Sequence, residues 1–548
     1  MRTSFPGRQV MPPPPTETAG PVLEAAGPAG APVAATPVLF QFLHGQDAAP
    51  KAMTPDEIAG LGDAFTQHVL PLDGAQIPLT LRELVTAIES ATAPSFPLRN
   101  MFMVDEGAIP HGADPAFELN TRLAFTWSTS DADPPDILVS TVAIAGDPRS
   151  LLQLIAWSEK DRAFHYFERK NGAWGWAGNS FHALAAPTRG QGPFDSHING
   201  SLVMKELKAP WSHWHSADSH IPRSLFGPDT EFNTDPLFQQ LDGAESLEGV
   251  VRTGIGRWTN GRFARHLTGG TLAGLPDYLR QLLWCTSINL VSSTKSYHDP
   301  SVARFDLPST FFFDADAMDF LVAELDPAAD VLPGQRLTVD AQLYRTAATN
   351  AALHVLDDEQ PPHQVAGDTN FAFLVPERAA EDQVVVRELV SHEVLSARLG
   401  LCLLLVDFCN PVFSPRRAAL LRHIPASVAA GAHGAALDTA LIGAVGTPEP
   451  QQDSPEAELL DLWNSADLLQ RTGTMLGNYN AAVNQRLQSP DGVADLLRLA
   501  DSRRQVLTAR SLFEFHATLA TGAAPPHLAM APDGTVIEKP ATTGEAEL

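Results

Sequence analysis

The stretch RAFHYFERKNGAWGWAG, Arg162 to Gly178, reads as a β-hairpin. Aromatic side chains crowd both arms, and Asn171-Gly172 between them favours the tight turn whose twist matches that of paired strands. The neighbouring sequence has the same texture. LAFTWST from Leu123, DILVSTVAIA from Asp136, LLQLIAWSE from Leu151 and SLVMKELK from Ser201 are short β-like runs. Asp-Pro, Asn-Gly and Gly-Asn punctuate them. This run predicts an antiparallel β-sheet module over about 120–210.

The rest of the chain carries helical signals. Thr54-Pro55-Asp56-Glu57 places an N-cap, a proline at the first helical position and acids in the first turn, and Thr80 offers a second cap. TLAGLPDYLRQLLWCTSINLV, DADAMDFLVAEL, VVVRELVSHEVLSARLGLCLLLVDF and SPEAELLDLWNSADLLQRTGTMLGNYNAAVNQRL have helical spacing. RLTVDAQLY and TNFAFLVPE read as short strands. The fold class expected is α+β, with the sheet module joined to a mainly helical remainder. The expected organisation is a disordered Pro/Ala-rich arm over 1–36, a mainly helical segment over 37–120 and a β-rich module over 121–222. A mainly helical region with short strands over 223–523 and a disordered tail over 524–548 complete it.

Composition narrows the function. The chain has 548 residues and a formal net charge of −27, from 64 acidic and 37 basic side chains. Such a field repels a phosphate backbone, and the densest basic groups, Arg416-Arg417 and Arg503-Arg504, are only pairs. Neither nucleic acid nor membrane is an expected partner. The three cysteines, Cys285, Cys402 and Cys409, form no CxxC, and the N-terminus shows no apolar core of a secretory leader. A cytoplasmic protein is the expectation.

Candidate chemistry gathers in GSLVMKELKAPWSHWHSADSHIP, Gly200 to Pro222. His213 and His215 would project together from a strand, forming a natural pair of metal ligands. His220, Asp218 or His197 would complete the set, and Glu206 is a further local donor. Two histidines and a carboxylate suit non-haem iron, whereas three histidines suit zinc, iron or copper. Non-covalent haem with a histidine axial ligand is the variant. Lys205 and Glu206 are the candidate acid–base groups; on a strand only one of them would face the site. Phe164, Tyr166, Phe167, Trp174 and Trp176 would wall an apolar or aromatic ligand, with His165 and His182 nearby. The same rings also suit the core of a sheet.

The HxH resembles part of the first motif of the cupin family. The likeness stops there, because Asp218 follows where that family has a later Glu, and Leu207 stands at its usual glycine.

The function expected is a metal-dependent oxidoreductase, in form a non-haem iron oxygenase acting on a small apolar or aromatic substrate. One alternative is a non-enzymatic binding or scaffold protein. Another is an Asp-dependent phosphotransferase or hydrolase, since an apolar run ends in Asp314-Ala315-Asp316, resembling the nucleophile motif of haloacid-dehalogenase-like phosphatases. Asp314 and Asp316 equally suit the start of the helix that follows. His392-Glu393 lacks the second histidine of HExxH, since Ser396 occupies that place. Asp407 is expected to pair with Arg416 or Arg417.

Overall fold

The computed structural model describes residues 38–539, except 72–76, 106–120, 131–133, 142–145, 147–151, 171, 196, 203–226, 285–287, 292–300, 308, 353, 358–363, 367–374, 510–514 and 519–526. One sheet contains β1 (Leu39–Gln41), β2 (Lys51–Ala52), β3 (Leu98–Asp105), β4 (Thr121–Ser128) and β5 (Ile137–Thr141). β6 (Leu152–Ser158), β7 (Ala163–Lys170), β8 (Ala173–Asn179) and β9 (Asp242–Gly243) complete it. Their order is β2-β1-β8-β7-β6-β5-β4-β3-β9. β3 to β8 form an antiparallel meander, while β1 runs parallel to β8 and β9 parallel to β3.

The α+β class is as expected, but the sheet is mixed and wider than the sequence indicates. β1, β2 and β3 precede residue 120, in the segment read as mainly helical. β1 and β2 are two or three residues long, and backbone pairing holds them, so no side-chain period announces them. The hairpin is where the sequence places it: Lys170 pairs with Ala173 across a two-residue connection, and Gly172 adopts φ +75°.

Strand alternation divides the sheet side chains between two cores. One face carries Phe125, Trp127, Leu154, Phe167 and Trp174. It is covered by α1 (Pro55–Leu61), α2 (Ala64–His68) and α3 (Leu81–Ser90), whose Ile58, Phe65, Leu84 and Ile88 are fully or almost fully buried. The caps of α1 and α3 form as expected. Thr54 and Glu57 make a reciprocal capping box, as do Thr80 and Glu83. The other face carries Leu138, Ile155, Trp157, Phe164 and Tyr166. It packs against α4 (Ser180–Leu184) and, after the short α5 (Glu231–Thr234), against Trp258 of α6 (Ala244–His266).

A larger core belongs to the helices that follow: α7 (Leu275–Leu283), α8 (Ala315–Leu325), α9 (Ala341–Asn350), α10 (Ala380–Ser391) and α11 (Ala397–Leu405). α12 (Pro415–Ala418), α13 (Ala435–Val445), α14 (Pro455–Trp463), α15 (Leu468–Arg486) and α16 (Pro490–Ala509) continue the chain. The run read as one long buried helix is broken into α10 and α11. Glu393 turns to φ +53°, and the Ser396 hydroxyl caps α11 at the Leu399 amide. Among the described residues no helix is long and apolar enough to cross a membrane.

The expected arm over 1–36 lies outside the described residues. The expected tail, by contrast, contains a hairpin of Leu528–Met530 and Val536–Glu538. Leu528 and Met530 enter the helical core. The side-chain amide of Asn410 both donates to the Met530 carbonyl and accepts from its N–H. Proline and glycine around this hairpin mask a segment whose order comes from tertiary pairing.

Candidate functional site

Six of the seven candidate residues, Lys205, Glu206, His213, His215, Asp218 and His220, lie in 203–226, outside the described residues. His197 is described, and it stands in the ledge from which that segment departs. The ledge crosses the Tyr166 face of the sheet, after a 3₁₀ turn at Gly192–Asp195. Tyr166 donates its phenolic hydrogen to the Ser201 carbonyl at 3.0 Å, and His197 Nδ1 meets the same oxygen at 3.0 Å. The rings of Tyr166 and His197 lie 5.1 Å apart, and Trp258 of α6 donates to the Asn199 carbonyl. Gly200 is required here: at φ +75°, an added Cβ would stand 2.5 Å from the Ser180 carbonyl oxygen. Burial pushes the Tyr166 hydroxyl far above its ordinary range, so it stays a neutral donor.

The His197 geometry has a chemical consequence. A carbonyl can only accept, so Nδ1 carries the proton and Nε2 is the basic nitrogen. Histidine ligands of metal ions are commonly oriented in this way by a backbone carbonyl. Among the described residues, however, no group of three His, Cys, Asp or Glu side chains is arranged to hold a metal ion.

The proposed aromatic wall is divided. Phe164 and Tyr166 share the His197 face, whereas Phe167, Trp174 and Trp176 lie on the opposite one. Side chains two apart share a face, and the five rings sit at both parities. His165 is opposite Ala156 in the register and lies with the second group. Trp176 Nε1–H donates to His165 Nδ1 at 3.1 Å, and His165 Nε2 reaches Asp161 Oδ2 at 3.0 Å. Both ring nitrogens are thereby engaged, which removes His165 from the possible ligands. His182 is turned to Asn179 and lies edge-on to Trp176, and burial lowers its pKa.

Asp314 starts α8 and is 3% exposed, held by Arg378 Nε. Asp316, in the first turn, instead accepts from Gln383. The two carboxylates therefore serve different partners, and Asp314 is the end of a buried polar chain. Arg262 donates to Gln281, Gln281 donates to Asp382, and Asp382 lies 3.9 Å from Arg378. Arg378 also donates to the carbonyls of Gln281, Leu282 and Pro411. Apart from Arg378 and Asp382, which are an i,i+4 pair, the links join residues 19 to 101 positions apart, and no local spacing in the sequence signals them.

Asp407 departs from the expected arginine pairing. It accepts from Asn410 and Ser414, and Lys539 of the C-terminal hairpin approaches to 3.6 Å. Arg416 binds Glu458, while Arg417 is spent on the carbonyls of Asn410 and Pro411. His392 stacks on Phe263.

The chain matches no protein-family model, no curated protein and no solved structure.

Proposed function

We propose that the protein is a metal-dependent oxidoreductase, in form a non-haem iron oxygenase for a small apolar or aromatic substrate. His213 and His215 are its ligand pair, completed by His197, His220 or Asp218. The observation supporting this reading is the orientation of His197. Its Nδ1 faces the Ser201 carbonyl at the root of the histidine-rich segment, the orientation that a backbone carbonyl commonly gives a metal-ligating histidine. The ion would supply Lewis acidity and electron transfer. Phe164 and Phe194, buried beside Tyr166, would exclude water, and Lys205 or Glu206 would move the proton. Copper, zinc or a non-covalent haem are the alternatives at the same residues. The Asp314 phosphotransferase reading draws no support from a carboxylate enclosed by Arg378.

Metal analysis by mass spectrometry and an absorption spectrum of freshly purified protein test the proposal. Stoichiometric iron that disappears in the double variant His213→Ala plus His215→Ala supports it. A Soret band selects the haem form. Colourless, metal-free protein that gains no iron on anaerobic reconstitution sinks it and leaves the binding-protein reading.

A further inference from the structure

We propose that the outer edge of β3 docks an extended, lysine- or arginine-bearing segment of a partner protein, which adds to the sheet as a further strand. β3 runs through eight residues, and β4 pairs with all of them on the inner side. On the outer side β9 pairs only with Phe102 and Met103. Among the described residues, Leu98–Met101 therefore face no strand along that edge. Open edge groups of this kind are a template for strand addition.

Space and charge both fit such an occupant. A cleft of about 670 Å³ opens at this point, between Glu89 of α3, Arg99 and Asn100 of β3, and Gln239, Gln240 and Asp242 on the approach to β9. Four residues of strand span about 13 Å, and the pairing of Phe102 with Asp242 marks where an incoming segment must stop. Proteins often protect an edge with a charged side chain. Here Arg99 Nη1 is 2.6 Å from Glu89 Oε1, so its charge is already matched. Asp242 is exposed and has no side-chain partner among the described residues, leaving a surplus negative charge in the cleft. The whole chain adds a net charge of −27. The exposed Asn100 and Gln240 amides supply hydrogen bonds, and few apolar anchors are present. Recognition would thus rest on main-chain pairing plus one charge, independent of any metal chemistry.

Fluorescence anisotropy with the full-length protein tests this, using a labelled hexapeptide of alternating valine and lysine. Saturable binding is expected, weakened about tenfold or more when alternate peptide amides are N-methylated, since a hydrogen-bonding edge is then lost. Asp242→Lys should weaken the lysine peptide while leaving the circular dichroism spectrum unchanged. Asn100→Pro should also weaken it, provided that its thermal melt remains cooperative. Equal binding of the N-methylated peptide would mean diffuse attraction to an acidic protein and would overturn the proposal. So would the absence of saturable binding.

Discussion

Arg378 and Asp314 form an ion pair 64 positions apart in the chain, with both side chains only 2% exposed. Removing one member of a buried pair leaves the other uncompensated, which costs more than the pair itself contributes. Asp382, 3.9 Å from Arg378, would lose a nearby positive charge by the same change while keeping its hydrogen bond from Gln281. Arg378→Met should therefore destabilise the protein by about 3–5 kcal/mol, measured by urea denaturation. A loss below about 1 kcal/mol would show that the pair behaves as if solvated.

Asp63 is fully buried and caps α2 through the amides of Phe65 and Thr66. Burial raises its pKa, against the opposing effects of His165 and its hydrogen bonds. A folded pKa above the unfolded one gives a contribution that is fully present below the unfolded value. It is lost as pH rises through the folded value. Asp63→Asn keeps the capping acceptor without the buried charge, so it should match or exceed the wild type near pH 7, with the advantage shrinking as pH falls. Denaturation curves at several pH values check this; a variant that is less stable at neutral pH and equal in acid would contradict it.

Cys402 and Cys409 are buried, and burial pushes both thiols up to about 12. The thiolate is the reactive form. Native protein near pH 8 should therefore leave both unlabelled by a disulfide reagent, and denaturant should expose them together. Mass spectrometry of tryptic peptides reads the outcome, and fast native labelling of either cysteine would refute it.

The C-terminal hairpin is clipped to the helical core by Asn410, whose amide satisfies both main-chain groups of Met530. Asn410→Ala would leave a buried N–H and a buried carbonyl without those partners, a loss of about 2–4 kcal/mol. Hydrogen exchange at 528–538 should accelerate more than exchange in α15. If the two regions respond alike, the hairpin is not the part released.

What the sequence by itself determined about this protein was local. The capping boxes at Thr54 and Thr80 depend on residues three apart, and the hairpin at Gly172 depends on adjacent ones. Such short-range hydrogen bonds and turn preferences need no distant partner, so they are legible in the chain itself. The α+β class followed from the same periodicities. Tertiary structure alone decided which rings meet, because the pairing of β7 with β8 sets His165 against Trp176 and the return of the chain across the sheet sets Tyr166 beside His197. It also decided that Asp314 answers to Arg378, that Asp407 binds Ser414 rather than an arginine, and that residues 528–538 form a hairpin. Each of these depends on burial and on partners brought together only by folding. A buried charge or an unpaired strand must find its partner wherever the packed chain supplies one, and that place has no signature in linear spacing.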